Sequence, residues 1–130
     1  MFIKNLDGAQ IGAFIGLARQ VIRADGVLAP EEVGLLETIA QTAGFSGEPP
    51  AGTVAQLASA FTTRRAKASA LLELMGLGFA DGEYHPAEKD LIREIAQAFG
   101  FSDDELASME GWVTRQVMLL EEAAGFWEEN

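Results

Sequence analysis

The chain has no cysteine, a single histidine and a single tyrosine among its 130 residues. The absence of cysteine excludes disulfides, a thiolate nucleophile and sulfur-ligated zinc, and makes a cytoplasmic home the expectation. His85 stands alone at a position suited to a helix cap, and there is no Gly-rich phosphate loop, so the usual nucleophile and nucleotide constellations are missing. No enzyme is expected. Basic residues are scarce as well: nine Lys and Arg face twenty Asp and Glu, for a net charge of −11. That balance argues against nucleic acid and anionic lipid and favours cations or basic protein surfaces. Nor is there a long apolar run. Residues 68–80 form the longest weakly interrupted stretch, but it contains Glu73 and is too short to span a bilayer, and the N-terminus meets Asp7 first. Neither a signal peptide nor a transmembrane segment is expected.

The chain is nonetheless 48% hydrophobic and only 22% charged, a composition that folds rather than staying disordered. Its length suits one domain, residues 1–130. A stretch occurs twice within it. Residues 24–46, ADGVLAPEEVGLLETIAQTAGFS, and residues 80–102, ADGEYHPAEKDLIREIAQAFGFS, superpose without a gap on a shift of 56, with twelve of 23 positions identical. Such self-similarity implies one supersecondary unit used twice, its two copies packed together.

Each shared position has a local reason. Gly26 and Gly82 suit the left-handed residue after a helix, and Pro30 and Pro86 suit the first position of the next one. Glu32 and Glu88 then fall on the third helical position, where a carboxylate reaches back to the cap N–H and faces the positive helix end. Leu35, Leu36, Ile39, Ala40 and Ala43 follow at three-and-four spacing, as do Leu91, Ile92, Ile95, Ala96 and Phe99, before Gly44 and Gly100 stop the helices.

Around the repeats, Asn5 or Asp7 caps a first helix with a stripe of Ile11, Phe14, Ile15, Ala18, Val21 and Ile22. A connector rich in Gly and Pro, residues 47–52, leads to a short helix at about 53–61. Thr62 or Thr63 caps the next helix, to about Phe79, which is apolar all round and therefore central, with Gly76 and Gly78 permitting close approach. Ser102 and Glu105 form a capping box for a long last helix. Its seam of Leu106, Met109, Val113, Val117, Leu120, Ala124 and Trp127 belongs on the core. A second set, Trp112, Leu119 and Phe126, repeats every seven residues on another face. Either the helix is sandwiched within the bundle or that face meets another molecule, a second copy of the chain among the choices.

The pattern D-G, five residues, E, then L-x-x-x-I-A-x-x-x-G resembles the TerB-like family, named for tellurite-resistance TerB and also present as a domain of DjlA-type DnaJ-related co-chaperones. The resemblance runs from about the first helix to the start of the last. It implies an all-α fold: a single helical bundle of about six to seven helices, built from two pseudo-symmetric helix-turn-helix repeats. Acidic residues of the family are proposed to bind metal, and by resemblance that role falls on Asp25, Glu32, Asp81 and Glu88. The ion would be a divalent cation (Ca2+, Mg2+, Mn2+ or Zn2+); hard cations take several oxygen ligands, and each turn offers two. A structural reading stands beside this one, in which the aspartates accept turn N–H groups and the glutamates only cap helices. An EF-hand is excluded, because Gly follows Asp directly. His85-Pro86-Ala87 is not the His-Pro-Asp of a J domain. The expected function is a non-catalytic binding or scaffold module with protein partners, in a stress-response or envelope-associated assembly. The alternative is a purely structural interaction domain or a homodimer through Trp112, Leu119 and Phe126, without ligand.

Overall fold

A computed structural model describes residues 2–24, 26, 30–79 and 84–128. These residues form a 3-10 turn and six α-helices, with no strand among them. The helices are α1 (Gly8–Ile22), α2 (Pro30–Thr42), α3 (Val54–Ala58), α4 (Arg64–Gly78), α5 (Pro86–Ala98) and α6 (Asp103–Ala124). The architecture is a helical bundle.

Helix boundaries follow local chemistry. Asp7 accepts the Gln10 N–H at 2.9 Å while the Gln10 side chain accepts the Asp7 N–H, a reciprocal pair that starts α1. Thr53 with Gln56 and Ser102 with Glu105 start α3 and α6 in the same manner, and Thr63 starts α4 by accepting the Ala66 N–H. The two repeat helices end alike. Gly44 (φ 72°) and Gly100 (φ 86°) turn left-handed, so that the Phe45 and Phe101 N–H groups reach back to the carbonyls of Ala40 and Ala96 at 2.9 Å.

The core is built on α1 and α4. Phe14, Leu17, Ala18 and Val21 of α1 meet Ala70, Leu71, Leu74, Met75 and Leu77 of α4, all without exposed surface. Helix α4 touches α1, α2, α5, α6 and the N-terminal 3-10 turn, which makes it the central element expected from its all-round apolar surface. The two repeat helices are joined chiefly through this pair rather than through each other: α2 rests on α1 and α4, whereas α5 is enclosed by α1, α3, α4 and α6.

Two expectations about approach and burial are corrected. Gly76 faces open space, while Gly78 does sit under a neighbour, the Tyr84 ring. Among the described residues the tightest glycine is instead Gly16 in α1, where a Cβ would stand 2.8 Å from the Pro50 carbonyl, so the connector between the repeats lies directly on α1. On α6, Leu106 and Val113 are buried as expected, but Leu120 and Trp127 of the same seam are exposed. The physical reason is length: at about 1.5 Å per residue, the 22 residues of α6 outrun the 15 of α4.

Candidate functional site

Two regions carry residues singled out from sequence. The first is the pair of acidic turns. Asp25 and Asp81 lie outside the described residues. Glu32 and Glu88, on the first turns of α2 and α5, are 1% and 0% exposed. Third positions of helices are ordinarily solvated, and a buried carboxylate is costly unless hydrogen bonds or an opposite charge compensate it. Among the described residues no three His, Asp or Glu side chains group as a metal site. His85 occupies the N-cap position of α5 as expected, but its side chain makes no capping hydrogen bond.

Around Glu88 the second repeat departs from the first in sequence. Tyr84 stands where the first repeat has Leu28, and its ring packs on the Gly78 backbone, with the Phe79 ring centroid 4.7 Å away and Lys89 Nζ 5.3 Å from its own. The Tyr84 hydroxyl is buried with no hydrogen-bond partner among the described residues. Burial first, then the charges of Glu110 and Glu88, push its ionisation well above the ordinary phenol range. Tyr84 was not singled out from sequence. Its one signal was being the only tyrosine, set in a repeat position that is aliphatic in the other copy.

The second region is α6 and the space beside it. Trp112, Leu119 and Phe126 are 38%, 63% and 84% exposed, and Met118, Leu120 and Trp127 are exposed with them. Phe126 and Trp127 continue the helical path, their N–H groups donating to the Ala123 and Ala124 carbonyls. Between α2 and α6, over α4, runs a groove of about 420 Å3 with walls that include Leu35, Ile39, Val117 and Leu120. At its end the Phe2 N–H donates to the Glu73 carboxylate, and the Phe2 ring meets Trp112 at 5.7 Å. A second cleft, of about 390 Å3, lies between α1, α2 and the connector, with Arg19 and Arg23 at its edge. Periodicity alone did not reveal either cleft. They exist because α2 is held on only part of its circumference.

The start of α6 is firmly fixed, in contrast to its end. Arg64 at the beginning of α4 pairs with Glu105 and lies over the Phe101 ring at 4.6 Å. The Ser102 N–H and the Arg64 guanidinium together hold the Glu105 carboxyl below its usual range.

No helix of the described residues is long and apolar enough to cross a membrane. No curated protein and no solved structure matches the chain. Residues 51–110 match a family model described as tellurite resistance protein TerB; the matched segment takes in α3, α4, α5 and the beginning of α6, and leaves the first repeat and the exposed end of α6 outside. Over that segment, the match supports a TerB-like family.

Proposed function

We propose that the protein is a non-catalytic TerB-like binding module of the tellurite-resistance type. It presents the distal half of α6 and the adjoining groove to a protein partner in a stress-response or envelope-associated assembly. The observation that carries this reading is the apolar surface left uncovered on α6 from Trp112 to Trp127, beside an apolar groove. Large side chains grouped on a surface mark an interaction site, whereas singly scattered ones do not. The test is to purify the assembly from its source cells with wild type and with Leu119→Glu. Loss of co-purifying protein at unchanged melting temperature is the expected result. Equal recovery with both would remove α6 as the binding face.

The acidic turns support a second element of the reading, uptake of a divalent cation. The carboxylate oxygens of Glu32 and Glu88 are the hard donors that such an ion takes. Asp25 and Asp81 complete the donor set by sequence. The ion would supply charge neutralisation to the two turns. Saturating Ca2+, Mg2+, Mn2+ or Zn2+ is expected to raise the melting temperature of stripped wild type by mass action, and Glu88→Gln to abolish the rise. A wild type indifferent to all four ions removes the cation and leaves the interaction module standing.

A further inference from the structure

We propose that the outer face of α6 is a self-complementary seam on which two copies of this chain pair antiparallel about Leu119, Arg115 of each copy meeting Glu122 of the other. The inference rests on the reading of α6 as an interaction surface and names its occupant.

The stripe Trp112, Leu119, Phe126 has a strict seven-residue spacing, the period that keeps one face of a helix against a helical partner. It is also symmetric in kind, with an aromatic ring one heptad to either side of a central leucine. Reversed, it reads the same. Two copies laid antiparallel with Leu119 on the two-fold axis place Trp112 of each level with Phe126 of the other.

Charge selects the same arrangement. Arg115 is the one basic residue of α6, set among Asp103, Asp104, Glu105, Glu110, Glu121 and Glu122. It lies four residues before Leu119, and Glu122 lies three after. At 100° per residue both fall on one flank of the stripe. Like flanks meet only when the helices run antiparallel; in a parallel pair each flank faces the opposite one. Arg115 is then level with Ala123 of the second copy and adjacent to its Glu122. Both residues are exposed. Two chains of net charge −11 repel one another through any ordinary pair of faces. The α6 stripe is where an apolar seam and a complementary pair of charges coincide. A foreign basic helix would gain the acidic surroundings but would be opposed by Arg115, on the flank of the stripe.

The test is a charge exchange read by sedimentation equilibrium at 0.15 M NaCl, with circular dichroism on each variant to confirm folding. Wild type is expected to be a reversible dimer, and Leu119→Glu a folded monomer. Arg115→Glu sets four carboxylates along the seam and Glu122→Arg sets four cations. Each alone is expected to weaken the dimer about five- to tenfold. An equimolar mixture of the two restores both pairs, and is expected to yield a heterodimer at least as tight as wild type. Wild type that stays monomeric up to millimolar concentration overturns the proposal, as does a dimer indifferent to Leu119→Glu, or a mixture no tighter than its components. A monomer whose partner is still lost on Leu119→Glu would retain the binding module while removing the second copy as occupant.

Discussion

The two repeats share a sequence but not a setting. Ile39 and Ile95 occupy the same position, yet Ile95 is fully buried while Ile39 is only half-buried; the same holds for Ala40 against Ala96 and for Phe45 against Phe101. The helices are the same length and end in the same hydrogen bonds. What differs is the company. Helix α5 is enclosed by four helices, while α2 is flanked by two clefts and rests on two. Local sequence therefore dictates the element and its ends, and the neighbours dictate how much of its apolar face is worth in stability.

The largest effect should come from truncating the matched isoleucines. Ile95→Ala is expected to cost about 3 to 4 kcal/mol and Ile39→Ala about 1 to 2, because the first leaves an enclosed cavity and the second a dent that water can enter. Urea unfolding of the two variants measures the gap, and equal costs would break the comparison. Next in size is local opening. Amide hydrogens of α2 should exchange through openings that cost clearly less than global unfolding, with those of α5 close to the global value. Native-state exchange in low denaturant checks this, and uniform protection across both helices would contradict it.

The smallest effect concerns the residue that sets the second turn apart. Tyr84 has its ionisation raised in the folded protein by burial and by Glu110 and Glu88, against about 10 in the unfolded chain. A raised folded value means that the neutral phenol's contribution is complete below about pH 10 and declines as pH rises beyond it. Thermal melts between pH 8 and 11 should show that decline in wild type and less of it in Tyr84→Phe. At neutral pH the same substitution should change stability by less than about 1 kcal/mol, since the hydroxyl has no hydrogen-bond partner among the described residues.

Helix ends were the most legible part of the fold, because caps are local: Asp7 with Gln10, Ser102 with Glu105, and the glycines at 44 and 100 each act within a few residues. The periodicity of α6 likewise identified its apolar faces. It could not say that α4 ends before α6 does, so Leu120 and Trp127 were assigned to a core that does not extend that far. The burial of Glu32 and Glu88 was equally hidden, since an N-terminal helical carboxylate is usually solvated. Asp25 and Asp81, the other half of the expected metal set, lie outside the described residues.

The position of α4 at the hub has a kinetic consequence. Five elements touch it, whereas α2 rests chiefly on two, so the body formed by α1, α3, α4 and α5 has most of its contacts whether or not α2 has docked. Assembly would therefore start on α4 and finish with α2. In a chevron analysis, truncations at Leu71 or Leu74 would slow folding, and those at Val33 or Leu36 would mainly speed unfolding. The half of the chain that arrives first at the ribosome exit would then be the half that waits, its repeat helix held only loosely until the second copy has been made.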